Sequence, residues 1–501
     1  MDATLARRST MGATPGRAEL RPHTPATGAH ARGLLDRRYG PLIPHALLVF
    51  IGFVTLWLAD APATTLYVTG AAVAVIFPWI ILLEIRRAPL GLSPISFYFG
   101  WNTIALGLAA IHHGNKLADG IPIRFSVQTI YPDELAAGYV MYLLGTFGLH
   151  AGLQFMRPLP RPGEGSPPVG TGFLALWSLG VFMRFIGPII GAGGFGAFSG
   201  LVQWGSLAAL TGFVAHQGAN YRRASFWILF TLGTAVEFVV NLRAGSKAFL
   251  MFSFLPAGLL FARQRPLRRW FPVLGIALSV FYLGVVAPVV SAARQSAEVA
   301  GENQSDRIVR TYTQGGYEDG DGIEEQATAF FERSFEPIPA SFLYGEVERH
   351  GYRWGDTFDY LAYAFVPRLF WPDKPTVSRG GWFYYYIGAA RSEAEATTSV
   401  AQTAAGELYW NFGFPGVLAG MGALGALFGF LWRLTTAFPE QDPIRLVLYI
   451  ALVFNMIDMA EAGTTLVNVV FRALVLVPPI FLLDRTARKR AEAPSEARAL
   501  S

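Results

Sequence analysis

Long apolar stretches separated by short polar connections dominate the chain. A hydrocarbon core about 30 Å thick calls for roughly 20 apolar residues per crossing helix. Twelve stretches approach that length: 41–59, 63–83, 92–111, 134–155, 171–190, 197–216, 224–240, 248–262, 270–290, 412–432, 444–459 and 464–483. The third has the weakest hydropathy and the eighth is short, which suits re-entrant or tilted pieces. With the N-terminus inside, Arg86, Arg87, Arg157, Arg161, Arg222, Arg223, Arg263, Arg265, Arg268, Arg269, Arg433 and Arg445 fall on the inner side. The outer connections carry only Lys116, Arg124, Arg243 and Lys247. Such an asymmetry of Lys and Arg sets membrane orientation. The expected fold is therefore an all-α polytopic membrane protein of about twelve transmembrane helices. Residues 1–40 form a disordered basic tail, 41–290 helices one to nine, 291–411 one large outer loop, 412–483 helices ten to twelve, and 484–501 a second inner tail.

Composition supports this. Of 501 residues, 52% are hydrophobic and 15% charged, against about 25% charged in soluble domains. That excludes a soluble enzyme, a disordered protein and a fibre. The chain has no cysteine, so disulfide scaffolds, thiolate metal sites and cysteine nucleophiles are excluded. A net charge of +5 does not imply nucleic acid. Acidic side chains outnumber basic ones across 291–408, and the basic surplus sits in tails and short connections. The Arg-rich first 40 residues lack the apolar core and cleavage site of a signal peptide.

A connection as long as 291–411 is functional or disordered rather than a mere link. Its acidic run Glu318-Asp319-Gly320-Asp321-Gly322 lacks the terminal Glu of a calcium loop, so a solvated turn is the better reading. Leu343 to Pro375 alternates aromatic and charged residues, and Trp382, Phe383 and Tyr384 to Tyr386 extend the pattern. Such rings suit sugar stacking and equally suit a loop at the lipid headgroups. Pro367 and Pro372 pin Arg368, Trp371, Asp373 and Lys374 in a turn. Glu407 and Asn411, four apart before the tenth helix, share a face if that helix starts early; the plainer alternative is an interfacial anchor. Arg243 and Lys247 break the positive-inside pattern, and such cations bind either a pyrophosphate or ordinary lipid phosphates. Arg184, Arg472 and Asp458 lie in or near apolar spans, where ionisable groups usually face an interior cavity. His112, His113, His150 and His216 read as lone groups, not a metal site. Gly191 to Gly196 matches G-x-G-x-x-G but has no βαβ setting, so it is a turn.

The run VPRLFWPDKP (366–375), followed by GELYWNFGFPG (406–416), resembles the Wzy-type O-antigen and exopolysaccharide repeat-unit polymerases. Gly355-Asp356-Thr357-Phe358 and the NLRAGSK run at 241–247 are similar to positions in that family. The R-x10-G spacing of some members is absent, because Arg368 to Gly380 is one residue too long. The resemblance implies a metal-independent, cofactor-free glycosyl transfer at the outer face of the bacterial cytoplasmic (inner) membrane. A growing glycan would leave undecaprenyl pyrophosphate and join a hydroxyl of the next lipid-linked oligosaccharide repeat. Arg243, Lys247, Arg368 and Lys374 would hold the pyrophosphate, Glu407 or Asp373 would be the base, and Trp371, Tyr409 and Asn411 would position sugar. A flippase and a chain-length regulator are the partners such polymerases work beside. The alternatives are an O-antigen ligase-type glycosyltransferase, with lipid A core or protein as acceptor, and a transporter or flippase of the same lipid-linked sugars.

Overall fold

The computed structural model describes residues 39–87, 93–157, 177–182, 204–243, 253–282, 323–366, 379–396, 400–435 and 443–499, with single positions 286, 310, 370, 371, 373 and 374. These residues are mostly helical. The first apolar stretches fold as α1 (Leu42–Leu58) and α2 (Pro62–Arg87). Next comes α3 (Pro94–Ala118), interrupted by a π-helical turn at Thr103–Leu108. A π turn disturbs the regular backbone ladder, and the Tyr139 hydroxyl donates to the Leu106 carbonyl there at 2.6 Å. One small departure from the all-α expectation follows: strands β1 (Ile123–Phe125) and β2 (Gln128–Ile130) pair antiparallel, Ile123 opposite Ile130. Then come α4 (Pro132–Met156), α5 (Trp204–Gln217), α6 (Ala224–Arg243), α7 (Leu255–Arg263) and α8 (Phe271–Phe281).

Among the described residues five helices are long and apolar enough to cross a membrane: Pro62–Glu84, Pro94–Ala118, Ala224–Asn241, Ala404–Thr435 and Ala462–Leu482. The chain is thus an all-α protein with several apolar helices of membrane-spanning length. The stretch 171–190 lies largely outside the described residues.

Helix α4 has the length, at 25 residues, but is diluted by glycine and hydroxyl side chains because it is the buried centre of the bundle. Pro132 opens it, and the Glu134 carboxylate accepts the Tyr131 N–H at 3.2 Å. Its tightest neighbour is α12 (Ala404–Thr435), which runs parallel to it. A Cβ at Gly152 would strike the Gly422 carbonyl, one at Gly425 the Leu149 carbonyl, and one at Gly148 would come within 2.8 Å of the Leu418 carbonyl. Small residues let helices approach backbone to backbone where lipid gives no hydrophobic drive.

Within 291–411 the described residues form α9 (Ile323–Ser334), α10 (Pro337–His350) and α11 (Gly380–Tyr386). These helices pack on the bundle rather than hanging from it. Phe335 stacks on His113 at 4.3 Å, and a Cβ at Gly138 of α4 would strike Ser341 of α10. The chain closes with α13 (Pro443–Ile457) and α14 (Ala462–Ala499), the latter staying helical through the basic residues after the last apolar stretch. Helix α12 breaks at Gly413, whose φ of +66 favours glycine. Tyr352 sits 2.9 Å from where a Cβ would stand, and Pro415 sharpens the bend. The piece 404–412 is thereby set off from the longer apolar helix.

Candidate functional site

The break in α12 places Glu407 and Asn411 on one buried face, both with no solvent exposure. The two segments they hold are remote in sequence. Thr357, in the turn after α10, donates its hydroxyl to Glu407 Oε1 at 3.1 Å. The Gly463 N–H, at the start of α14, donates to Glu407 Oε2 at 3.1 Å. A carboxylate at a helix N-terminus meets both unpaired N–H groups and the positive end of the helix dipole. Asn411 completes the junction. Its Nδ2 donates to Thr357 Oγ1 at 2.7 Å and to the Glu407 carbonyl at 2.8 Å, and its Oδ1 accepts the Gly355 N–H at 2.8 Å. Since Thr357 accepts from Asn411, its one proton is directed at Glu407.

Around this junction lies a ring of aromatic and charged groups. The Arg353 N–H donates to the Trp410 carbonyl at 2.9 Å, and the Arg353 guanidinium lies 4.9 Å from the Trp410 ring centre and 5.4 Å from that of Tyr386. Trp382 stacks on Tyr386 at 5.5 Å, and Arg379 lies 5.3 Å from Trp382 and 5.1 Å from Tyr360. Two guanidinium groups thus flank one aromatic group, an arrangement that stabilises cations electrostatically. Arg379 also pairs with Asp359, and the Tyr386 hydroxyl donates to Glu346 Oε2 at 2.6 Å. Burial pushes the Glu461 carboxyl up, while Thr464 and Arg379 pull it back. Burial, with Glu407 and Glu461 nearby, pushes the Tyr360 phenol up as well. Among the described residues no cation lies within ion-pair distance of Glu407. Nor do they contain a cluster of three or more His, Asp or Glu able to hold a metal ion.

A third carboxyl, Glu336, lies between α9 and α10. It accepts from Trp101 Nε1 at 2.7 Å and from the Tyr142 hydroxyl. Burial pushes it up to about 7, the two hydrogen bonds pull it down, and Asp458 adds to the rise.

The other end of α4 holds a different polar network. Glu84 pairs with Arg157 at 2.6 Å and accepts from Ser93 at 3.1 Å. Gln154 approaches His150 Nε2 at 3.1 Å, the Nδ1 atoms of His150 and His45 face each other at 3.2 Å, and His45 Nε2 reaches Thr146 Oγ1 at 3.2 Å. One tautomer assignment satisfies every link: Gln154 donates to His150 Nε2, His150 Nδ1–H to His45 Nδ1, and His45 Nε2–H to Thr146. His150 therefore does not stand alone, as the sequence suggested, but faces His45 in a hydrogen-bonded network.

The remaining sequence candidates scatter. Tyr409 turns away from Glu407 and stacks on Tyr344 at 5.5 Å. Lys374 is buried, its ammonium donating to the Ala364 and Val366 carbonyls at 2.6 and 2.9 Å, so it pins its own loop. Asp373 is exposed, and Trp371 is 41% exposed beside Tyr363. Arg243 ends α6, and its side chain, like Lys247, Arg368 and Arg184, lies outside the described residues. Thr357, Arg353, Arg379 and Glu461 complete the junction. Thr357 carried a sequence signal through its Gly-Asp-Thr-Phe run, and Arg353 lay within the aromatic and charged stretch from Leu343 to Pro375. No protein-family model, curated protein or solved structure matches the chain.

Proposed function

We propose that the chain is a polysaccharide polymerase that joins undecaprenyl-pyrophosphate-linked repeat units at the outer face of a bacterial inner membrane. It would have about twelve spans and both termini cytoplasmic. One observation supports this most: the junction around Glu407, at the start of an apolar helix of spanning length, is bordered by two arginines stacked on Trp and Tyr rings. Rings bind sugar faces and guanidinium groups bind phosphate oxygens, and a lipid-linked glycan presents both at one depth. The reaction needs cations for the departing pyrophosphate and a base for the acceptor hydroxyl. Arg353 and Arg379 join Arg243, Lys247 and Arg368 as cation candidates. Glu407 has both carboxylate oxygens occupied and no exposure, so its part is to hold the junction. Asp373, open to solvent, is the base of the two.

The test is a reconstituted reaction of purified protein with lipid-linked repeat units, resolved on a gel. A ladder spaced by one repeat, lost in Asp373→Asn at unchanged thermal stability, is the expected result. Transfer only to an added lipid core would make the chain a ligase. Intact substrate crossing the bilayer without a covalent product would make it a transporter.

A further inference from the structure

The segment after α10 leaves large apolar side chains in the open. Trp354 is 75% exposed, Phe370 77%, Phe365 46%, and Tyr352 and Trp371 each 41%. Neighbouring rings at the junction, Trp410 and Tyr360 among them, are buried. The segment does not stand apart from the bundle. The Arg353 N–H is tied to Trp410, Gly355 to Asn411 and Thr357 to Glu407, and Phe358 stacks on Phe412 at 6.2 Å. Phe412 is itself 43% exposed and begins a line of exposed apolar residues on α12 that continues through Leu418 and Phe430. That line follows a helix of membrane-spanning length and apolarity, so lipid is its natural cover. The exposed rings of 352–371 extend it at the end where α12 begins. Charges are interleaved among them: Asp356, Asp359 and Asp373 are all exposed. Rings alternating with charges fit neither the hydrocarbon centre nor open water, but the headgroup layer, where amphipathic rings collect.

We propose that residues 352–366, with Phe370 and Trp371, form an interfacial seat, with Trp354, Phe365 and Phe370 inserted among the lipids of the leaflet at the Glu407 end of the bundle. Glu407 and Asn411 fasten this seat to the membrane helices through Thr357 and Gly355. The seat rests only on the chain's being a membrane protein, and it would stand if the polymerase reading failed.

The absence of native cysteine makes a direct test simple. Trp354→Cys, Phe370→Cys and, as a water-facing control, Glu395→Cys each give a unique site for a nitroxide spin label. The full chain is reconstituted in phosphatidylglycerol–phosphatidylethanolamine vesicles. Collisions of each label with oxygen, which concentrates in lipid, are compared with those of a water-soluble nickel chelate. At 354 and 370 oxygen should prevail severalfold, with the preference reversed at 395. Labels at 354 and 370 more accessible to nickel than to oxygen would place the segment in water and overturn the seat. Labels shielded from both reagents would mean a protein surface covers it, and would overturn it equally.

Discussion

Glu84 and Glu407 are both fully buried carboxylates, at opposite ends of the α4–α12 pair, and they are stabilised in different ways. Glu84 has a full countercharge in Arg157 at 2.6 Å, and Arg157 in turn lies 5.6 Å from the Trp432 ring. Glu407 has a hydroxyl, a backbone N–H and a helix N-terminus, but no cation in ion-pair reach among the described residues. A carboxylate with a countercharge makes a good structural clamp. One held by neutral donors remains sensitive to whatever approaches it, and its donors belong to two segments remote in sequence. The clamp therefore belongs to the helix bundle, and the junction to the surface where the aromatic segment and the arginines converge.

The comparison predicts a hierarchy of losses. Arg157→Ala should cost most, about 3–5 kcal/mol, because it strands a buried charge; thermal unfolding in detergent measures it. Adding Glu84→Gln should restore much of that loss. If Arg157→Ala is as stable as the parent, Glu84 is not held by its countercharge and the contrast fails. Glu336 is an intermediate case, partly buried and held by Trp101 and Tyr142. Its carboxyl is raised from 4.5 to about 7, so the folded protein keeps a proton that the unfolded chain has released. Its contribution is complete below pH 4.5 and is lost as pH rises through about 7. At roughly 1.4 kcal/mol per unit, the loss is on the order of 3 kcal/mol at most. Unfolding temperature measured against pH should fall over this window, and Glu336→Gln should flatten the fall.

What could be read from the sequence follows the range of each interaction. Helices such as α2 and α6 are written locally, as apolar runs of the right length, and structure and sequence agree on where they lie. The bend of α12 is also local, in Gly413 and Pro415. The shared face of Glu407 and Asn411 was visible from their spacing of four, but the partners were not. Thr357 lies 50 residues away from Glu407, and Gly463 lies 56. His45 and His150 are 105 apart, and nothing in either neighbourhood names the other. Arg353 and Arg379 were hidden among charges that look solvated, because only the tertiary fold lays them on Trp410 and Trp382. Lys374 misled in the opposite sense: a cation beside two prolines reads as presented outward, yet two nearby carbonyls draw it in.

The smaller effects sharpen the junction itself. Glu407→Gln should cost about 1–3 kcal/mol, since an amide keeps one acceptor but turns an NH2 group toward a donor. Thr357→Val removes the hydroxyl that Asn411 and Glu407 share while keeping the side chain's shape. It should cost about 1 kcal/mol, the net worth of a neutral hydrogen bond, because Asn411 still reaches the Glu407 carbonyl. A double-mutant cycle decides whether the two ends of the molecule are independent. Thr357→Val and Glu407→Gln should couple by more than about 0.5 kcal/mol, whereas Thr357→Val and Arg157→Ala should add within that margin. Coupling of the second pair would mean that the clamp and the junction belong to one network running the length of α4 and α12, and their different chemistry would then serve a single device.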